Sequence, residues 1–230
     1  MTLRIGALCS ASASAIQASY PLFRRRGIEL LVVTHQPCGI EEFCRAEKIE
    51  QVRIEGAKRD ELSARALDWL QARNAAFSVL FLDRILSEAF VESIYTVNFH
   101  PALLPAYPGL NALERSLADR VRYLGVTAHR ATPVVDVGKI ICQSSHALGA
   151  RDYDISRALD ISFVQRTALL CNIIDSQLDG DGGIPTEGWR EPTEPAAVPG
   201  DSFVSPCWLS EGSRQLVDRL ARERDMTIVL

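Results

Sequence analysis

The feature that most restricts this chain is an alternation running through its first two thirds. Short apolar runs rich in branched residues take turns with amphipathic stretches. Leu3–Leu8 reads as a strand and Ala13–Arg25 as a helix. Ile28–Val33 is the next strand, Glu41–Lys48 a helix, Gln51–Ile54 a short strand and Asp60–Gln71 a helix with Leu62, Ala66, Leu67 and Leu70 on one stripe. Strands follow near Phe77–Leu82 and Thr96–His100. Near-continuous apolar strands need cover on both faces, so this grammar predicts an α/β fold with a doubly wound, mostly parallel sheet. The expected division is a catalytic domain over 1–178 and a C-terminal extension of loop and helix over 179–230.

After His100 the pattern changes. The segment from Pro101 to Gly109 holds three prolines, Pro101, Pro105 and Pro108, and is excluded from regular structure. Asn111–Ala118 reads as a helix with Asn111 as its cap, and Gly125–Ala131 and Lys139–His146 as strands joined by Thr132–Gly138. Asp154 opens a long helix to about Leu178, with Leu159, Phe163, Leu169, Leu170 and Ile173 expected to face inward. Gly180–Pro206 reads as a loop. Gly212–Arg224 reads as a packing or homodimer helix, and Thr227–Leu230 is an apolar end.

Charge and cysteine usage narrow the function classes. The formal charge is −4, and no basic run exceeds Arg24-Arg25-Arg26, a solvated helix end, so nucleic-acid binding by counterion release is disfavoured. No apolar stretch nears the ~20 residues that span a bilayer, and the start lacks a signal peptide's apolar region, so no membrane partner and a cytoplasmic location are expected. The six cysteines, Cys9, Cys38, Cys44, Cys142, Cys171 and Cys207, are scattered and read as reduced thiols. His35, Cys38 and Cys44 match no zinc spacing, so no metal is expected.

The densest polar signal lies between Thr96 and Gly138. In a strand, Asn98 and His100 project from one face, at the carboxyl end where open α/β sheets place ligands. Asp136, on the loop that precedes a later strand and followed by Gly138, is positioned to return to them. An amide and an imidazolium can donate to an oxyanion, and a carboxylate can hold the imidazole charged or relay a proton. No Ser or Cys nucleophile joins this cluster, which favours direct attack by a bound substrate.

The string Asn98-Phe99-His100-Pro101-Ala102-Leu103-Leu104-Pro105-Ala106-Tyr107-Pro108-Gly109 resembles the signature of the folate-dependent formyltransferases, with glycinamide ribonucleotide formylation as the nearest chemistry. So does Gly125-x-Thr127-x-His129 followed by Asp136-x-Gly138. The resemblance implies catalytic roles for Asn98, His100 and Asp136 and a supporting role for His129. It implies 10-formyltetrahydrofolate as co-substrate and a small-molecule amine as acceptor. The pterin is then expected against Arg84, Ile85, Leu86 and Val91 and the loop residues Ala131, Thr132, Val134 and Val135.

The family's glycine-rich phosphate turn is replaced here by Ser10-Ala11-Ser12-Ala13-Ser14-Ala15, and its acidic residue in the long helix falls on Phe163. The donor half of the site is thus kept and the acceptor half altered. The implied acceptor is smaller or lacks phosphate: an amino-sugar, an amino acid or a specialised-metabolite amine. Glycinamide ribonucleotide formylation, hydrolysis of formyltetrahydrofolate and non-catalytic folate binding are the alternatives. Hydrolases that resemble the core add a regulatory domain in front, which weighs against the second. The polar triad weighs against the third.

Overall fold

The computed structural model describes residues 2–179 and 209–226. The expected Gly180–Pro206 loop, Cys207 and the Thr227–Leu230 end lie outside the described residues. The strands are β1 (Arg4–Cys9), β2 (Glu29–Thr34), β3 (Glu50–Arg53), β4 (Phe77–Phe81), β5 (Thr96–His100), β6 (Tyr123–Arg130) and β7 (Ile140–Ala147). The helices are α1 (Ser14–Arg25), α2 (Gly39–Glu47), α3 (Arg59–Gln71), α4 (Glu88–Ser93), α5 (Ala112–Ala118), α6 (Ile155–Asp179) and α7 (Glu211–Arg222), with a 3-10 turn at Ala150–Tyr153. The chain forms two compact units, Met1–Phe99 with Arg130–Gly138, and His100–His129 with Lys139–Leu230.

In the first unit β1 is central. It pairs in parallel with β2 and β4, β2 with β3, and β4 with β5. Both faces of β1 are buried, Ile5, Ala7 and Cys9 on one side and Leu8 on the other. Leu8 belongs to a core with Leu31, Val33, Leu62, Ala66, Leu70, Phe90 and Val91, so α3 and α4 cover that face. Each of the Leu, Val and Phe side chains among them contributes roughly 1.5–3 kcal/mol by leaving water. Tyr20 of α1 meets Phe43 of α2 edge to face at 5.3 Å. The short α4 has no periodicity long enough to read from sequence. Ser87 caps it by accepting from the Phe90 amide, and Ser63 of α3 accepts from the Ser87 amide at 2.9 Å.

A buried carboxylate ties α2 to the sheet. Glu41 accepts from Thr34 Oγ1 at 2.6 Å and from Arg53 Nε and Nη2 at 2.9 and 2.6 Å. The Arg53 hydrogen bonds hold the Glu41 carboxyl below the usual range, outweighing its burial. A group lowered in this way stabilises the fold above its unfolded-state pKa, and that contribution is lost as pH falls through the folded value. Glu41→Gln is therefore expected to flatten the acid side of the Tm-against-pH curve; an unchanged acid slope would show that other carboxylates set it.

The second unit holds the antiparallel pair β6–β7, with an irregularity between Ala128 and His129. The first turn of α6 is capped by Asp154 Oδ1, which accepts from the Ser156 and Arg157 amides. Leu169, Leu170 and Ile173 are buried as expected. Leu159 is not: it is 55% exposed, because Ala158 and Ile161 carry the buried stripe there. Phe163 is half-buried, with the Arg224 guanidinium 4.3 Å from its ring centre. Beyond the 178 boundary, α7 packs on α6, where Asp175 Oδ2 accepts from the Ser210 amide at 2.8 Å and Arg224 pairs with Asp160. Asn111 occupies the α5 cap position, but its side chain makes no capping bond. Its φ of 55° puts it in the left-handed region that Asn tolerates. Among the described residues no helix is long and apolar enough to cross a membrane.

Candidate active site

In the first unit, the loop after β6 is drawn against β5. The Ala131 amide donates to the Thr96 carbonyl at 2.8 Å, and Ala131 is buried in the same core as Leu86 and Val91. The Arg130 guanidinium lies 5.3 Å from the Tyr95 ring centre. From that anchor the loop turns back, with Thr132 Oγ1 donating to the Val134 carbonyl at 2.7 Å and Asp136 at φ 58°. Asp136 Oδ1 accepts from Asn98 Nδ2 at 3.4 Å, a long hydrogen bond. The turn closes so tightly that a Cβ on Gly138 would sit 1.8 Å from the Arg130 carbonyl oxygen. Asn98 and Asp136, 38 residues apart in sequence, are therefore hydrogen-bond partners in the fold.

The expected folate-pocket residues fall into two groups. Leu86, Val91 and Ala131 are buried core members, and Leu86 holds its place because Arg59 Nε and Nη2 both donate to its carbonyl, at 3.2 and 2.9 Å. Arg84 is exposed, Thr132 half-buried, and Ile85 (51% exposed), Val134 and Val135 present apolar side chains to solvent. Exposed Val137 joins them, a residue the sequence did not single out.

His100 ends β5 and belongs to the second unit, where it is 4% exposed. Its Nε2 lies 2.8 Å from the Tyr107 carbonyl, so Nε2 carries a proton and donates. The proline-rich segment is fastened to β6 and β7. Thr127 Oγ1 donates to the Ala102 carbonyl at 2.7 Å and accepts from the Leu104 amide at 3.0 Å. Gln143 Nε2 bonds the Leu104 carbonyl and Thr127 Oγ1. Leu103 packs on Gly125, where a Cβ would come within 2.3 Å of it. These contacts give physical content to the Gly125-x-Thr127 spacing. His129 is buried on β6.

No side chain of the Ser10–Ala15 run caps α1. The α1 cap position is Ala13, at φ 47° and without a side-chain capping bond, and Ser12 Oγ instead meets Ser14 Oγ at 3.1 Å. Left-handed backbone at an alanine costs about 1–2 kcal/mol. His35 is not grouped with Cys38 and Cys44. It contacts Ser10 and Asp83, a cluster the sequence gave no sign of. Burial pushes the Cys44 thiol up to about 12, and the Cys38 thiol is also raised. Among the described residues no group of three or more His, Cys, Asp or Glu could hold a metal. A separate groove of about 630 Å³ between α3 and α4, lined by Arg59, Ser63, Leu67 and Phe90, includes none of the three polar site residues.

Comparison with known proteins agrees with this architecture. A 62-residue stretch, 26% of this chain, is 42% identical to phosphoribosylglycinamide formyltransferase of Mycobacterium tuberculosis and covers 29% of that protein's length. A 72-residue stretch, 31% of this chain, is 35% identical to formyltetrahydrofolate deformylase of Synechocystis and covers 25% of it. The crystal structure of glycinamide ribonucleotide transformylase 1 from Symbiobacterium toebii superposes with a TM-score of 0.69 at 24% identity, covering 74% of this chain and 84% of that one, and so shares its fold. The formyl transferase family matches residues 3–158, which takes in all seven described strands together with the Asn98, His100 and Asp136 positions, and this chain belongs to that family.

Proposed function

We propose that this chain is a folate-dependent N-formyltransferase that moves the formyl group of 10-formyltetrahydrofolate to a small amine acceptor other than glycinamide ribonucleotide. The observation that carries the reading is the Asn98–Asp136 pair at the carboxyl end of β5, with His100 two residues further along the same strand. In this reading the acceptor nitrogen attacks the formyl carbon, and Asn98 Nδ2 and His100 donate to the tetrahedral oxyanion. Because His100 Nε2–H is spent on Tyr107, the donor must be Nδ1–H, which requires the doubly protonated ring. Asp136 favours that charged ring and passes a proton towards the departing folate nitrogen.

The folate fits the first unit chemically. Ile85, Val134, Val135 and Val137 offer apolar surface to a flat heterocycle, and the bent 132–136 loop offers backbone groups to its polar edge. The Leu86 carbonyl already accepts two hydrogen bonds from Arg59, so folate contact there falls to the neighbouring side chains and remaining backbone groups.

The acceptor reading rests on the turn before α1, where both family glycines are alanine. Glycinamide ribonucleotide is the second reading, favoured by the name of the Mycobacterium relative. Hydrolysis is the third, favoured by the deformylase relative. One assay separates them: tetrahydrofolate release from 10-formyltetrahydrofolate alone, with glycinamide ribonucleotide, and with amino-sugars and amino acids. Release that depends on one of the latter amines, above the rate with glycinamide ribonucleotide, is expected. Efficient turnover of glycinamide ribonucleotide alone would overturn the acceptor reading, and formate formed without any amine would establish hydrolysis.

A further inference from the structure

Three strand ends of the first unit converge on a polar cluster that the formyl-transfer chemistry does not use. The register Cys9↔Thr34 and Cys9↔Phe81 aligns β1 with β2 and β4, so the residues just beyond them, Ser10, His35 and Asp83, meet at one edge of the sheet. Ser10 Oγ donates to Asp83 Oδ1 at 2.5 Å and accepts from the Asp83 amide at 2.9 Å. His35 Nε2 lies 3.0 Å from both Ser10 Oγ and Asp83 Oδ1. The serine proton goes to the carboxylate and an ionised carboxylate only accepts, so His35 Nε2 carries a proton and donates. Gln36 Nε2 fixes the Ser10 carbonyl at 3.1 Å.

The arrangement fastens one oxygen of the carboxylate and leaves the other available. Ser10 and the His35 ring are buried, whereas the Asp83 side chain is 62% exposed, and among the described residues Oδ2 has no partner. Burial works to raise the Asp83 pKa, but the hydrogen bonds from Ser10 and His35 outweigh it and hold the carboxyl below the usual range, ionised at neutral pH. A fixed anion therefore stands at the base of the turn that leads into α1, at the ligand-bearing end of a parallel sheet. It opposes a phosphate entering that turn and attracts a cation or a group rich in N–H and O–H donors.

We propose that Asp83, held by Ser10 and His35, is an acceptor-specificity residue that selects an amine carrying a second ammonium or hydroxyl donors and rejects a phosphate ester. The proposal rests on the formyl-transfer reading and names its substrate class. The test compares wild type with Asp83→Asn and Asp83→Ala, using 1,4-diaminobutane, glucosamine and glycinamide ribonucleotide as acceptors and titrating inorganic phosphate. Loss of the charge is expected to raise KM for the wild type's preferred donor-rich amine roughly tenfold or more, with kcat changed far less. It is also expected to lower KM for glycinamide ribonucleotide and to tighten phosphate binding. Unchanged KM values in both variants, with wild-type formyl transfer intact, overturn the Asp83 assignment and leave the transfer reading standing. A wild type that transfers formyl to no amine defeats the transfer reading itself, and phosphate binding unaltered by Asp83→Asn then defeats the charge argument independently.

Discussion

On the proposed mechanism Asn98→Ala is expected to lower formyl transfer by about 10²–10³ in kcat, the usual loss when one preorganised oxyanion donor is removed. The size of the effect follows from when the amide acts. On the proposed mechanism it stabilises a charge that exists only as the carbonyl becomes tetrahedral, so the loss is expected to fall on turnover and not on binding. Asn98 is half-buried at the end of β5, and its strand pairing with Leu80 uses backbone groups that alanine keeps. The variant should therefore remain folded, with at most a small fall in Tm from the lost side-chain bond to Asp136, and keep its affinity for the folate. A single-turnover measurement of tetrahydrofolate release, beside a folate titration, separates the two quantities. Near-normal turnover in Asn98→Ala, or in His100→Ala, removes the oxyanion role.

Gly138→Ala is the second large effect, and it acts through backbone. The added Cβ would meet the Arg130 carbonyl oxygen at 1.8 Å, so one side of that contact has to move. The Arg130 side is held, because its guanidinium rests on Tyr95 and the next residue is both bonded to Thr96 and buried. The displacement therefore passes into 132–138, the stretch that carries Asp136. A misplacement of about 1 Å in a catalytic group can lower rate by ~10²-fold, and overpacking of this kind typically costs about 1–3 kcal/mol of stability. The expected variant is folded, with reduced Tm, kcat down by an order of magnitude or more, and a raised KM for the folate. Combining it with Asp136→Ala should add little further loss in kcat, because both changes remove the same carboxylate from its place. Wild-type kinetics in Gly138→Ala would show that the loop tolerates opening and that its closure does not position Asp136.

The sheet was legible because its signals are local. Runs such as Ile28–Val33 need burial on two faces whatever surrounds them, and β1 to β7 fall within a residue or two of where the apolar runs lie. The Asn98–Asp136 partnership was legible through a motif, not through spacing alone. Three features were not. The six-residue α4 is too short for a helical period, and its cap Ser87 is held by Ser63, which is remote in sequence. Hydrophobicity alone points Leu159 inward, whereas the first turns of α6 bury the smaller Ala158 and the neighbouring Ile161. The Ser10–His35–Asp83 cluster has no sequence pattern at all, because its members become neighbours only through the parallel register of three strands.

The return of 130–138 to the first unit decides how this protein can be divided. A fragment ending at Phe99 would leave the Thr96 carbonyl without the Ala131 amide and the core without the Ala131 side chain. Excising residues 100–129 would cut the chain that carries Ala131 back to Thr96. The first unit is therefore discontinuous in sequence, and no contiguous piece of the chain can carry it whole without residues 100–129.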